Sequence, residues 1–132
     1  MPSNAQYIVA PDVAPPPDPY TNVIRVGTTI YVAGQVAIDE QAQVVGRGDP
    51  LRQAEQTWLN IERCLAAAGA KVTDVVKVVA FLKDIRHMEA EMEVRKRYFQ
   101  EGRYPVYTMV QVANLAWESL LMEIDVTAVV DG

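Results

Sequence analysis

The chain is poor in the residues that most often carry metal or covalent chemistry. It has one cysteine, Cys64, so no intrachain disulfide can form, and the expectation is a reducing, cytoplasmic setting. Its one histidine, His87, excludes a His-rich metal site and, with one cysteine, leaves no zinc-ligand set. We read His87 as a surface residue at a helix start. Basic residues are also scarce. Twelve Lys and Arg face 17 Asp and Glu, a formal net charge of −5, the opposite of a surface that grips phosphate backbones. A nucleic-acid partner is therefore not expected. Neither G-x-x-x-x-G-K-[ST] nor G-x-G-x-x-G occurs, so phosphate-cradling loops are unsupported. No apolar run nears the roughly 20 residues of a membrane span, and the N-terminus lacks a basic-then-apolar leader pattern, so no membrane partner is expected.

What is present points to one domain. The 132 residues are enough for a single core, and half of them are hydrophobic. Residues 1–19 form an extended lead-in, with five of the eight prolines between Pro11 and Pro19. Residues 20–132 form the domain proper. Val23–Val26, a Gly27-Thr28 turn and Ile30–Ala33 predict a hairpin. Gly34 interrupts, as a bulge or a close backbone approach would, and Gln35–Ile38 is expected to resume as a third strand. Asp49-Pro50 opens a helix as N-cap and first helical residue, and Leu51, Ala54, Trp58, Ile61, Leu65 and Ala68 give it one apolar face up to Gly69. Cys64 lies beside that face as a structural thiol.

Val75–Leu82 is almost continuously apolar, the pattern of a central strand covered on both faces. A second helix is predicted from about His87 to Gln100. Its acids precede its bases, with i,i+4 pairs Glu91–Arg95 and Glu93–Arg97, which reads as a solvated face. Strands over 107–112 and 119–130 follow, joined by a loop carrying Asn114, Trp117 and Glu118. The order β-β-β-α-β-α-β-β is an α+β fold with two helices on one face of a mixed sheet. The other face then needs a partner, which points to an oligomer. On the last strand, alternation places Glu123 and Asp125 on one face, opposite Met122, Ile124 and Val126. They are either solvated acids, or one of them faces a cleft and orients or deprotonates a water.

Pro19-Tyr20, Ala33-Gly34-Gln35, Asn60, Ala67-Ala68-Gly69, Asp74–Lys77, Phe81–Asp84, Tyr104-Pro105 and Met122–Asp125 form an ordered series of motifs. Through them the chain resembles the RidA family (YjgF, or the endoribonuclease L-PSP group) from about Pro19 to Val130. The resemblance implies a chorismate-mutase-like protomer in a barrel-like homotrimer, with clefts between subunits. It implies hydrolysis of enamines and imines such as 2-aminoacrylate, without metal or cofactor. Matched by position, Tyr20 lines the pocket, Gly34 offers backbone and Glu123 holds the water. The family's carboxylate-clamping arginine is replaced by Tyr107. Thr108 and Met109 stand where small residues are usual, and Met92 where many members have asparagine.

A phenol donates one hydrogen bond but does not neutralise a carboxylate. The expected cleft is therefore lined by Tyr107, Tyr20, Met109 and Trp117 and takes a flatter, less anionic small-molecule ligand, unless Tyr107 fills it. The leading expectation is a deaminase in which Glu123 positions water and Tyr107 donates to the substrate. The alternatives are a non-catalytic small-molecule-binding or regulatory trimer and, against the acidic charge, a ribonuclease or translation inhibitor. Arg25, Arg47, Arg95 and Arg103 are candidates to replace the missing guanidinium, each expected at the surface.

Overall fold

The computed structural model describes residues 3–132. Its elements are β1 (Ala5–Ile8), β2 (Val23–Val26), β3 (Thr29–Gln35), α1 (Pro50–Ala67), β4 (Val75–Leu82), α2 (Met88–Lys96), β5 (Val106–Gln111) and β6 (Met122–Val129). Short 3-10 turns, Val72–Asp74 and Ile85–His87, lead into β4 and α2. The six strands form one sheet in the order β1-β2-β3-β6-β4-β5. Every neighbouring pair is antiparallel except β4 and β5, which are parallel. A parallel pair needs a crossover, and α2 supplies it. The fold is α+β, a mixed sheet with two helices on one face.

Local chemistry explains the elements. The Asp49 carboxylate accepts from the Arg52 backbone N–H at 3.1 Å, which caps α1 ahead of Pro50. Gly27 takes a positive φ of 59° in the two-residue β2–β3 turn, where a β-carbon would be strained. The apolar stripe of α1, with Trp58, Ile61, Cys64 and Leu65 fully buried, packs on Ile30, Val78, Met122 and Ile124 of the sheet. Each fully buried side chain of this size contributes roughly 1.5–3 kcal/mol of transfer free energy.

Three expectations change. The first of the three leading strands is β1, inside the lead-in, and Gln35–Ile38 is no strand of its own. Gln35 ends β3 after a register shift, and Ile38 makes only an isolated bridge to Val44. The Val36 and Ile38 carbonyls accept instead from the Asn60 side-chain amide, at 3.0 and 2.9 Å, so a helix takes the place of a ladder. The second helix ends at Lys96, because Tyr98 and Phe99 leave it to pack on the Trp58 ring, with centroids 5.7 and 6.0 Å away. And β4 is covered on one face only. Val78, Ala80 and Leu82 are sealed against the helices, whereas Lys77, Val79 and Phe81 lie on the bare side.

That bare side is the main surface left open. Register places Tyr31, Val106, Val110 and Val129 on it, all exposed. Exposed apolar residues grouped on one sheet face mark an interaction surface.

Candidate active site

Four of the six expected site residues converge. Tyr20, Gly34, Trp117 and Glu123 line a cleft of about 300 Å³ together with Pro17, Asp18, Ala33, Val36, Ile38, Ala116 and Leu120. The proline-rich lead-in sets Tyr20: its N–H donates to the Asp18 carbonyl at 2.8 Å, and the chain behind it is held where Asn22 Nδ2 reaches the Ala14 carbonyl at 3.4 Å. Gln35 Nε2 in turn donates to Asn22 Oδ1 at 3.2 Å, which ties the lead-in to the end of β3.

Gly34 is where backbone and acid interlock. A β-carbon there would sit 2.3 Å from Glu123 Oε2 and 2.8 Å from its Cδ, inside any permitted contact. The register shift in β3 between Val32 and Gln35 lies at this same step, so Gly34 serves both as bulge and as close approach. Glu123 is half-buried against that backbone. Loss of hydration, and then the neighbouring Asp125 charge, push its carboxyl above the ordinary glutamate range. Burial, helped by the Asp18 and Glu123 charges, raises the Tyr20 phenol, so it stays a neutral donor. Asp125, on the same face, is also raised by burial, with Lys77 opposing the shift.

Tyr107 and Met109 lie elsewhere in the chain. In register they pair with Val78 and Ala80, on the helix-facing side of the sheet, whereas Glu123 pairs with Phe81 on the bare side. The Tyr107 hydroxyl donates to Glu91 Oε1 at 2.9 Å. Glu91 is fully buried and also accepts from Trp58 Nε1 at 3.0 Å and from Arg95 Nε at 3.1 Å. The Arg95 guanidinium carbon lies 3.8 Å from the Tyr107 ring centroid, a cation–π stack. Burial and the Glu91 charge push the Tyr107 phenol far up, so its proton stays on.

The charge pattern of α2 is thus no solvated face at this point. Glu91 and Arg95 form a buried pair, and Arg97 bonds Glu55 of α1 at 2.7 Å rather than Glu93. The other candidate arginines are not in the cleft: Arg25 Nη1 donates to the Ala68 carbonyl at the end of α1 at 2.8 Å, and Arg103 borders a separate surface hollow.

Residues 11–130 match the family model described as Endoribonuclease L-PSP. The chain belongs to this family, the RidA family. A RutC family protein of Pyrococcus abyssi is 36% identical over 125 residues, 94% of this chain and 97% of that one. A 2-iminobutanoate/2-iminopropanoate deaminase of Dermatophagoides farinae is 33% identical over 109 residues, 82% of this chain and 84% of the deaminase. Among solved structures, RidA from an Antarctic Psychrobacter has a TM-score of 0.87 at 31% identity, covering 95% of this chain and 99% of that one. Imine deaminases are therefore relatives of this RidA-family chain across most of its length.

The walls of this RidA-family cleft hang on buried amides. Gln53, fully buried on α1, donates from Nε2 to the Ser119 carbonyl at 2.9 Å and the Gly46 carbonyl at 3.2 Å, and accepts from the Leu121 N–H at 2.8 Å. It fixes the loop that brings Trp117 and Leu120 to the cleft. Lys83 Nζ adds a contact to the Glu118 carbonyl on the same loop. Asn60, one of the residues that carry the resemblance, holds Val36 and Ile38 from the same helix face. Gln53 escaped sequence reasoning, although the signal was there: a glutamine next to Ala54 on an apolar stripe must find partners once buried. Cys64 is buried, with its thiol pushed up to about 12 by lost hydration, and it fits the structural part expected of it. His87 is partly buried, with Nδ1 unpaired, rather than on the surface. Among the described residues no cluster of His, Cys, Asp and Glu is arranged to hold a metal ion, and no helix is long and apolar enough to cross a membrane.

Proposed function

We propose that the protein hydrolyses a small imine, or the enamine that tautomerises to it, to a carbonyl compound and ammonia, with Glu123 as the water-positioning base. The observation that carries this reading is the Glu123 carboxylate, half-buried and seated on Gly34 opposite Tyr20 in an otherwise largely apolar cleft. A carboxyl with a raised pKa is better matched to taking a proton near neutrality than an ordinary glutamate. Water adds to the imine carbon as one of its protons passes to Glu123 and from there to the nitrogen, giving a neutral carbinolamine. Glu123 then takes the carbinolamine hydroxyl proton and delivers it to the nitrogen, so the C–N bond breaks and ammonia leaves as the C=O bond forms. Tyr20 is a neutral donor beside the reacting atoms. Trp117 and Leu120 limit entry of bulk water.

The reading includes a homotrimer built on the bare face of the sheet. Tyr31, Val106, Val110 and Val129 need cover there. Tyr107 and Met109 lie on the opposite side of the sheet from Glu123, so they reach a shared cleft only as the contribution of a neighbouring copy. Tyr107, its hydroxyl donated to Glu91, shapes such a cleft rather than serving as proton donor to the substrate.

The test is ammonia release from freshly generated 2-aminoacrylate and from a panel of uncharged imines, comparing wild type with Glu123→Gln. The variant should lose about 10²–10⁴-fold in turnover while light scattering still reports a trimer. Unchanged turnover would remove Glu123 from the mechanism. Ligand binding without product across the panel would make the protein a metabolite-binding trimer instead.

A further inference from the structure

Two carboxylates stand on the bare face of β6, and only one of them reaches the cleft. Glu123 lines it, whereas Asp125, two residues on, does not. Strand geometry sets the two positions roughly 7 Å apart with their side chains on the same side. No hydrogen bond from a described residue reaches either acid, so burial and charge alone decide which of them keeps a proton. The nearby cation falls to Asp125. Lys77 pairs with Thr127, Val79 with Asp125 and Phe81 with Glu123, so Lys77 is one same-face step from Asp125 and two from Glu123. The lead-in brings Asp18 and Tyr20 to the cleft, and Lys83, past the end of β4, is turned to the Glu118 carbonyl.

We propose that Asp125 is a positioning residue for the Glu123 base, its carboxylate standing outside the cleft and repelling negative charge at Glu123 so that the proton taken from water rests there. Lys77 completes the arrangement by favouring the charged form of Asp125. The two acids then divide the work: Asp125 stays ionised and Glu123 exchanges the proton, a separation of roles set by environment alone. The physical causes run the same way. Burial raises Asp125 but Lys77 opposes it, whereas Glu123 is raised by burial and by Asp125 with no cation opposing. Repulsion over this separation persists in a half-buried site, where the effective dielectric is below that of water. Asp125 touches no substrate and acts through Glu123. This rests on the imine-hydrolase reading and deepens it, by adding the residues that set the strength of its base.

The test follows both carboxyl groups directly, by carbon-13 NMR of protein labelled at its Asp and Glu side-chain carboxyls, beside the pH profile of kcat/KM for imine hydrolysis. Glu123→Gln and Asp125→Asn assign the two signals. In Asp125→Asn the Glu123 signal should titrate at lower pH than in wild type. The acid limb of the profile should move down with it while the plateau falls, since Glu123 is then ionised more readily but is a weaker base. Asp125→Glu, which keeps the charge on the same face, should restore the wild-type limb. Lys77→Met should raise the Asp125 titration toward that of Glu123. A residue that merely supports the fold would lower the plateau and leave the limb in place. Glu123 titrating at the same pH in wild type and Asp125→Asn would overturn the assignment, and an Asp125 titration indifferent to Lys77→Met would remove Lys77 from it. The two readings fail separately: a Glu123 signal that moves in Asp125→Asn, without ammonia release from any imine, sinks the hydrolase and leaves the charge coupling standing. Glu123-dependent turnover with a limb and a titration indifferent to Asp125 does the reverse.

Discussion

Gly34→Ala is the sharpest perturbation the fold offers, because one added methyl group meets one functional atom. The new β-carbon would lie 2.3 Å from Glu123 Oε2, 2.8 Å from Cδ and 2.9 Å from Cγ, where ordinary contact begins near 3.4 Å. The carboxylate must therefore retreat by about 1 Å, a misplacement that costs roughly 10²-fold in rate when geometry matters. The backbone itself should tolerate alanine, since Gly34 is not among the glycines with positive φ. Overpacking of this kind costs about 1–3 kcal/mol, so the protein should fold with a lowered melting temperature. Thermal unfolding and kcat for imine hydrolysis measure the two effects side by side. A companion variant, Gly34→Ala with Glu123→Ala, removes all three clashing atoms and should regain the lost stability. Full wild-type kcat in Gly34→Ala would refute the reasoning, for it would mean the carboxylate can leave its seat on Gly34 without consequence.

Glu123 should also cost stability at neutral pH. Its folded pKa is raised, so its contribution to stability is fully present below the unfolded glutamate value near pH ~4.3 and is lost as pH rises through the folded value. Glu123→Gln should therefore unfold at a higher temperature than wild type near neutrality, with the gap closing as pH falls toward 4. A gap that widens on acidification would contradict this. Gln53→Ala should lose about 3 kcal/mol in urea unfolding, because it orphans the Leu121 N–H and the Ser119 carbonyl inside the protein. If it folds, KM should rise more than kcat falls, as the Trp117 loop loosens.

How far the sequence shows all this depends on the kind of interaction involved. The cap at Asp49-Pro50, the α1 stripe and the alternation of Met122, Glu123, Ile124 and Asp125 are local patterns, and the structure repeats them residue for residue. β1 was hidden because Ala5–Ile8 has no pattern of its own and is a strand only through pairing with β2. Glu91 and Arg95 looked like one more exposed i,i+4 pair, since nothing local says that Trp58, from 33 residues earlier, will bury them. The cleft was half legible. Tyr20, Gly34, Trp117 and Glu123 meet as expected, whereas the sheet separates Tyr107 and Met109 from them by parity, a fact that needs the strand register to be seen.

The position of β6 has a consequence for the birth of the protein. It bonds β3 on one side and β4 on the other, so the strand latest in chain order is the middle of the sheet. During synthesis at about 5–20 residues per second, roughly 5–20 s pass between the emergence of Gln35, the last residue of β3, and Val129, the last of β6. Until β6 arrives, β3, and β4 once it has emerged, each hold an open hydrogen-bonding edge beside apolar side chains, the template on which nascent chains aggregate. The sheet cannot close from its N-terminal end. Folding must wait for the ribosome to deliver the keystone strand, so a nascent chain stalled before Met122 is work for a chaperone rather than a partly finished enzyme.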